Sequence, residues 1–399
     1  MSIEDAAGLT PEPFNPETLA ITAGRADNGP ALAPVVWASS TFTTSTLDEA
    51  RRRATMARGE CFYSRYSNPS VKAFEDAVGA LEGAAAALAF SSGMGAVAAT
   101  VLALCSSGDH VVAQRQLYSG TQMFLQGVCP RFGIDVTFVD GTQPGAFTEA
   151  VIPGKTMMVF AETPANPQLA IVDLEELGRI RGPFTVVDST FATPMGQRPL
   201  DYGVSLVLHS ATKGIAGHND ATLGVLCASD SDVIDAVWAY AVLHGATASP
   251  YDATNAVRGL RTLAVRLERQ ARTAEALGRF CESHPAIAWV RYPHLESHPQ
   301  YDLAKRQMRI GGSVLAVELA GGLEAGRTFV QTMKLARMAT SLGGPETLVT
   351  HPASSTHAGL SPAEREAIGI SDGLLRVSVG LEHLDDLIAD FSQALSSPA

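Results

Sequence analysis

The stretch SLVLHSATKG, residues 205–214, places a single lysine just beyond a short apolar run. The run SLVLHS is apolar enough to form a buried strand, so Ser210, Thr212 and Lys213 are expected just past its carboxyl end. In open α/β sheets, ligands bind at that edge. Small neighbours leave room for a ligand, and partial burial would lower the pKa of Lys213 and make its amine a nucleophile. A solvated surface lysine is the alternative interpretation.

Further apolar runs between residues 61 and 250 alternate with helical patterns. They are AAAALAF, DHVVAQ, DVTFVD, TMMVFAE, FTVVDST and ATLGVLCA. This alternation is typical of an α/β fold with a mostly parallel sheet that is covered by helices on both faces. One helix is predicted in detail, because Asn68 is a suitable N-cap and Pro69 suits the first helical position. Its expected apolar face consists of Val71, Phe74, Val78 and Leu81.

The length of 399 residues predicts two domains preceded by an arm. Residues 1–60 are rich in proline and lack a clear alternating pattern, so we expect an extended arm with one helix that reaches a neighbouring subunit. Residues 61–250 are predicted to form the large domain. Residues 251–399 are predicted to form a smaller α+β domain, in which one long helix spans 252–282 and the strand-like SVLAVEL and LLRVSVG follow.

Charge and composition exclude several function classes. The chain carries 29 Lys and Arg against 41 Asp and Glu, which argues against nucleic acid and against an anionic membrane as partner. The start MSIEDAAGLTPEPFNPE does not resemble a secretory signal, and no apolar run is long enough to span a membrane, so we expect a cytoplasmic protein. The five cysteines are scattered and include no C-x-x-C pair, which argues against a disulfide framework and a metal site.

A glycine-rich turn in AFSSGMGAVAAT follows a predicted strand and opens a predicted helix. Gly93, Gly95 and Ala98 fit the G-x-G-x-x-A pattern of dinucleotide sites, but this signal is weak alone. The free N–H groups at a helix N-terminus bind phosphate of any kind. The turn therefore indicates a phosphate, and glycines that merely allow close strand-to-helix packing are the alternative.

A buried acid is expected in FTVVDSTFATP, where Asp188 ends an apolar strand. A carboxylate at this position can keep a pyridine nitrogen protonated, which is what pyridoxal phosphate requires of its enzyme. An aspartate that only caps the next turn is the alternative. A phosphate-binding turn, a strand-end Asp and a strand-end Lys in this order are together more specific than any one of them. A nucleotide-binding oxidoreductase or a non-catalytic binding protein built on the glycine turn remains the alternative from another class.

The sequence resembles the Cys/Met-metabolism family of pyridoxal-phosphate enzymes, which includes cystathionine γ-synthase, cystathionine γ-lyase, methionine γ-lyase and O-acetylhomoserine sulfhydrylase. The resemblance runs from about residue 20 to the C-terminus and implies a fold type I architecture. It rests on YSRYSNPS (63–70), SSGMGA (91–96), LYSGT (117–121), ETPANP (162–167), DSTFATP (188–194), HSATKGIAGHND (209–220), TSLGGPETLVTHPASSTH (340–357) and LLRVSVGLE (374–382).

The resemblance also implies a role for each matching site residue. Lys213 would bind pyridoxal 5′-phosphate covalently and act as the mobile base, Asp188 would pair with the ring nitrogen, and Tyr118 would stack on the ring and serve as an acid. The other cofactor ligands would be Gly93, Met94, Ser210 and Thr212 from the same subunit, and Tyr63 and Arg65 from its neighbour. Arg376, Ser341 and Asn166 would bind the substrate carboxylate. The implied assembly is a tetramer built as a dimer of dimers.

The family motifs do not separate elimination from replacement, so the reaction is predicted from the pocket wall. Thr340 stands where cystathionine enzymes commonly carry an acidic residue, and Gly120 stands where methionine γ-lyases often carry a cysteine. Gly214 and Ser189, in place of the usual aromatic residue and Asn, predict a roomier pocket. We expect γ-elimination of a sulfur amino acid such as methionine. The alternatives are γ-replacement on an O-acylhomoserine and cystathionine γ-lyase activity.

Overall fold

The larger of two sheets contains all seven strands predicted between residues 61 and 250. A computed structural model describes residues 14–59 and 61–396. The strands are β1 (Ala86–Phe90), β2 (His110–Gln114), β3 (Asp135–Val139), β4 (Thr156–Glu162), β5 (Phe184–Asp188), β6 (Leu206–Ser210) and β7 (Gly224–Ala228). They are ordered β1-β7-β6-β5-β4-β2-β3, and only β7 is antiparallel to its neighbours. The predicted α/β fold with a mostly parallel sheet is confirmed.

The second sheet has five strands and lies toward the C-terminus. They are β8 (Ile287–Arg291), β9 (Val314–Leu319), β10 (Arg337–Met338), β11 (Leu348–Thr350) and β12 (Leu374–Ser378), ordered β10-β11-β12-β9-β8. All neighbours are antiparallel except β10 and β11. The strands predicted in SVLAVEL and LLRVSVG are β9 and β12, adjacent at the centre of this sheet.

Helices cover both sheets. They are α1 (Pro16–Thr22), α2 (Leu47–Thr55), α3 (Pro69–Glu82), α4 (Gly93–Leu104), α5 (Ser119–Met123), α6 (Ala146–Ala150), α7 (Leu174–Arg179), α8 (Thr193–Gly196), α9 (Ser231–His244), α10 (Pro250–Leu260), α11 (Leu263–Glu282), α12 (Tyr301–Gln307), α13 (Gly322–Thr332), α14 (Pro362–Ala367) and α15 (Leu384–Leu395). Among the described residues, no helix is long and apolar enough to cross a membrane.

Helix α3 begins and packs as its sequence predicts. The Asn68 side chain accepts a hydrogen bond from the Ser70 backbone N–H at 2.9 Å, and Pro69 occupies the first turn. The predicted apolar face, Val71, Phe74, Val78 and Leu81, is buried. The helix ends at Gly83, whose φ of 68° favours glycine. This helix packs against β1 and one face of the large sheet.

The single long helix predicted for residues 252–282 is wrong, because α10 ends at Leu260 and α11 begins at Leu263. The break follows from a close backbone approach at Gly259, where a Cβ would lie 2.1 Å from the Ala216 carbonyl oxygen. The buried guanidinium of Arg266 then binds the Gly259 carbonyl at 2.8 Å, so this carbonyl has a partner outside the helix.

A large apolar cluster lies on each face of the large sheet, and another lies under the small sheet. Leu206 and Leu208 of β6 belong to one cluster, whereas Val225 and Cys227 of β7 belong to the other. The latter cluster also contains residues of α10 and the first residues of α11.

The domain boundary at residue 250 and the role of residues 1–60 as an arm for a neighbouring subunit stay predictions. Residues 1–13 of that arm lie outside the described residues.

Candidate active site

A cavity of about 510 Å³ lies where the carboxyl ends of β4, β5 and β6 meet the start of α4 and the edge of the small sheet. Parallel strands bring their carboxyl ends to one edge, which is why residues far apart in sequence converge here. Ten predicted site residues line it, namely Gly93, Met94, Tyr118, Asn166, Asp188, Ser210, Thr212, Lys213, Ser341 and Arg376.

Lys213 follows β6 and is half-buried in this cavity. Its Nζ donates a hydrogen bond to Ser341 Oγ at 2.9 Å. Burial, and secondarily the positive charge of Arg376, lowers the pKa of Lys213 to about 8. A sizeable fraction of the amine is therefore neutral near neutral pH, as a nucleophile or a base requires.

Asp188 is the last residue of β5, and its side chain is buried. One carboxylate oxygen accepts hydrogen bonds from the Thr190 N–H at 3.0 Å and the Thr190 hydroxyl at 2.5 Å. Burial raises the pKa of Asp188, while the bonds from Thr190 act in the opposite direction. The Thr190 hydroxyl also accepts from the Ser210 N–H at 2.8 Å, so it connects the buried acid to the end of β6.

Of the two glycines in the glycine-rich turn, Gly93 is the one that close packing against β6 requires. A Cβ on Gly93 would lie 2.8 Å from the Ser210 Cβ, whereas one on Gly95 would meet no atom closer than 3.4 Å. Ser92 caps α4 by accepting from the Gly95 N–H at 3.0 Å. Close packing at Gly93 therefore brings the first turn of α4 against the end of β6, where the helix N-terminus and the hydroxyls of Ser210 and Thr212 surround one space.

Arg376 lies in β12 and is buried, with 4% of its surface exposed. It donates to Asn166 Oδ1 at 3.0 Å, to the Ser341 carbonyl at 2.8 Å and to Thr350 Oγ1 at 3.2 Å. Burial lowers its pKa to about 10, so the guanidinium stays charged at neutral pH. No carboxylate within the described ranges forms a salt bridge with it. The charge is therefore available for an anion in the cavity.

Tyr118 precedes α5, and its exposed ring lines the cavity. The ring packs against Gly120, where a Cβ would lie 2.5 Å from Tyr118 Cε1. A cysteine at position 120 would therefore collide with the tyrosine as it is placed here. Gly120, which stands where methionine γ-lyases often carry a cysteine, therefore leaves the space that the Tyr118 ring occupies.

Tyr63 and Arg65 do not enter the cavity of their own chain. Tyr63 is 42% exposed, and the Arg65 guanidinium donates to the carbonyl of Val242, a residue of α9, at 2.7 Å. Their predicted contribution to a neighbouring subunit is not tested by a single chain.

Neither Gly214 nor Ser189 lines the cavity, so the claim that these residues make the pocket roomier than in relatives stays a prediction. A Cβ on Gly214 would meet the Thr193 side chain at 3.0 Å. The buried Ser189 hydroxyl accepts from Gln197 Nε2 at 3.1 Å. Thr340 does line the cavity, at its exposed rim.

Sequence reasoning missed several polar residues of the cavity, among them Glu162 and Thr190. Each of these two has a signal that could have identified it, since Glu162 ends an apolar strand as Asp188 does, and Thr190 follows that Asp at the spacing of a local side-chain turn. Among the described residues, no group of three or more His, Cys, Asp or Glu side chains could hold a metal ion.

The residues present fit pyridoxal phosphate. A partly desolvated amine, a buried acid and a glycine cradle that a Cβ would fill surround one cavity. This fold and this cavity define the class as pyridoxal-phosphate-dependent enzymes of fold type I.

The chain belongs to the Cys/Met metabolism PLP-dependent enzyme family, whose model matches residues 17–396. It is 41% identical over 385 residues to the L-methionine gamma-lyase of Fusobacterium nucleatum subsp. nucleatum, covering 95% of this chain and 97% of that one. It is 41% identical over 364 residues to the cystathionine beta-lyase of Bacillus subtilis, covering 90% of each. The crystal structure of the cystathionine gamma synthase of Xanthomonas oryzae pv. oryzae, in complex with aminoacrylate and cysteine, superposes with a TM-score of 0.90 at 36% identity, covering 96% of this chain and 98% of that one.

These comparisons confirm the resemblance seen in the sequence. The protein is a pyridoxal-phosphate-dependent enzyme that acts on an amino acid, and the interpretation as a nucleotide-binding oxidoreductase or a non-catalytic binding protein is wrong.

Proposed function

We propose that the protein catalyses γ-elimination of a sulfur amino acid, with methionine as the substrate that fits best. Water and methionine would give an α-keto acid, ammonia and a thiol. The observation that carries this proposal is the character of the cavity wall. The carboxylates that line the cavity are Glu162 and Asp188, both buried and already hydrogen-bonded, whereas the rim at Thr340 is uncharged. Such a rim suits a thioether better than a second ammonium group. Relatives that share 41% of the sequence carry the name L-methionine gamma-lyase.

We assign roles to the cavity residues as follows. When bound, pyridoxal phosphate supplies an electron sink for negative charge at the substrate Cα. Lys213 would hold it covalently when no substrate is bound. Asp188 would keep the ring nitrogen protonated, and Tyr118 would stack on the ring. Phosphate contacts would come from Gly93, Met94, Ser210 and Thr212, with Tyr63 and Arg65 contributed by a neighbouring subunit.

The substrate contacts and proton transfers follow from the same geometry. Arg376, with Asn166 and Ser341, would bind the α-carboxylate and so orient the Cα proton toward Lys213. The Lys213 amine would then remove the Cα proton and, once it has given that proton up and is neutral again, the Cβ proton, which suits an amine whose pKa lies near 8. As the Cγ–S bond breaks, the Tyr118 hydroxyl would donate a proton to the leaving thiolate.

The test is a substrate panel. The purified holoenzyme is incubated with methionine, cystathionine, homocysteine or O-acetylhomoserine, and keto acid and thiol are measured, with Lys213→Ala as the inactive control. We expect keto acid and methanethiol from methionine. Product that forms only when O-acetylhomoserine and an added thiol are both present would reject the lyase and support γ-replacement. This second candidate is favoured by the superposition on a cystathionine gamma synthase. A strong preference for cystathionine would support the third candidate, cystathionine γ-lyase.

We propose further that the active unit is at least a dimer, within a tetramer built as a dimer of dimers, in the cytoplasm. Tyr63 is exposed and does not line the cavity of its own chain, which supports this assembly. Variants Lys213→Ala and Arg65→Ala, each expected to be inactive, can be mixed and reassembled. A shared site predicts recovery of about a quarter of wild-type activity, because half of randomly mixed dimers hold one intact site. No recovery in mixtures that do exchange subunits would reject the shared site.

A further inference from the structure

Glu162 is a buried carboxylate at the end of β4, with 3% of its surface exposed. It lies beside Asp188, its partner in the register of β4 and β5. Both of its carboxylate oxygens are occupied, since Oε2 accepts from the Tyr118 N–H at 2.7 Å and Oε1 accepts from the Asn166 N–H at 2.8 Å. Glu162 thus binds the backbones of two separate segments that line the cavity.

The two segments carry different parts of the site. Tyr118 begins the turn into α5, and its ring faces the cavity. Asn166 lies in the segment after β4, and its side chain accepts from Arg376 at 3.0 Å. The position of Glu162 is fixed in turn by its own N–H, which donates to the buried side chain of Gln114 at 2.9 Å. One rigidly held side chain therefore connects the ring-stacking residue with the carboxylate-binding pair.

A carboxylate is the residue type that this task requires. Two backbone N–H groups need two acceptor oxygens, and a glutamine offers one oxygen and one NH₂ group, so one amide would lose its partner. Burial, and secondarily the neighbouring Asp188, raises the pKa of Glu162, while the two amides and Arg376 favour the ionised form. The site retains a group that is unfavourable to bury, which fits a positioning role.

We propose that Glu162 is a positioning residue that holds the Tyr118 turn and the Asn166–Arg376 pair in a fixed relation, so that cofactor stacking and substrate-carboxylate binding depend on one side chain. This inference rests on the proposed roles of those residues. Its specific consequence is that cofactor stacking by Tyr118 and carboxylate binding by the Asn166–Arg376 pair change together when Glu162 is altered.

The test compares holoenzyme variants by two readouts. The visible circular dichroism of the bound cofactor reports the asymmetry that the Tyr118 ring imposes, and KM for the amino acid reports the carboxylate site. We expect Glu162→Gln to lose much of the dichroism and to raise KM about tenfold or more, because a buried group is left without its partner. Asn166→Ala keeps the dichroism and raises KM alone, since Glu162 then retains its bond to the backbone at position 166.

The matched control is Glu75→Gln, another buried glutamate that accepts from a backbone N–H, at Ala89 and outside the cavity. It should change neither readout. Unchanged dichroism and KM in Glu162→Gln would overturn the proposal even if its thermal midpoint falls, because a purely structural role predicts only that fall. If Glu162→Gln does not fold, Glu162→Asp, which keeps both oxygens but shortens their reach, is judged by the same two criteria. The dichroism requires no turnover, so a wrong assignment of the reaction would leave that half of the test valid.

Discussion

Replacing Glu75 by glutamine should stabilise the protein in a pH-dependent way. Glu75 lies on α3 with 9% of its surface exposed, and its Oε1 accepts from the Ala89 N–H of β1 at 2.8 Å. Burial raises the pKa of this carboxyl from 4.5 to about 7. A glutamine can retain the hydrogen bond to the strand through its own oxygen without carrying a charge.

The size and sign of the effect follow from proton linkage. The folded protein binds the Glu75 proton more tightly than the unfolded chain, so this residue opposes folding increasingly as the pH rises from 4.5 to about 7. At about 1.4 kcal/mol per pKa unit, the ionised carboxylate costs about 2 kcal/mol of unfolding free energy at pH 6 and about 3 kcal/mol at pH 8.5. Below the unfolded-state pKa the cost vanishes.

The assay is urea unfolding of the wild type and Glu75→Gln at pH 6.0 and 8.5, followed by intrinsic fluorescence. We expect the variant to be the more stable at both pH values, with an advantage that grows by about 1 kcal/mol or slightly more between them. Glu366→Gln, at an exposed position of α14, controls for the general loss of a carboxylate. An advantage of Glu75→Gln that is the same at both pH values, or that shrinks at pH 8.5, would refute the reasoning.

Three further predictions concern the cavity and its support. Arg376→Lys should raise KM about tenfold to a hundredfold with little change in cofactor absorbance. A lysine cannot reproduce the planar guanidinium that donates hydrogen bonds to three oxygens. Steady-state kinetics measure the change in KM. Gly343→Ala should lower the thermal midpoint, since φ is 79° and the new Cβ would lie 2.5 Å from a backbone nitrogen, whereas Gly359→Ala, with no atom within 4 Å, should not. Gly120→Cys should weaken the cofactor dichroism and lower kcat, because the side chain would displace the Tyr118 ring.

The residues that sequence analysis placed correctly are those whose position follows from local pattern. Short apolar runs identified all seven strands of the large sheet, and a strand end fixes where the next side chain emerges. Asp188 and Lys213 were found in this way, because Asp188 ends one such run and Lys213 lies just past the end of another. Gly93 was found because a helix start is also a local signal.

The features that sequence analysis missed depend on contacts between distant segments. Glu162 has the same strand-end position as Asp188, but its importance depends on two backbone amides that only the folded chain brings to it. The break before α11 depends on the approach of Gly259 to Ala216 and on a buried arginine. Gly214 was assigned to the pocket because the family often carries an aromatic residue there, yet it does not line the cavity, although its neighbour Lys213 does.

The cavity divides its chemistry between the two sheets, and this division bears on substrate choice. The large sheet supplies Lys213 and Asp188, whose proposed tasks do not depend on the side chain of the substrate. The small sheet and the segment before it supply Arg376 and Ser341, of which Ser341 contacts Lys213 and Arg376 contacts Asn166 in the segment after β4. In the roles proposed above, both sets would be engaged by the cofactor and the α-carboxylate, so they would not discriminate between substrate side chains. Selectivity for the γ-substituent must therefore come from the remaining rim, of which Thr340 belongs to the small-sheet side.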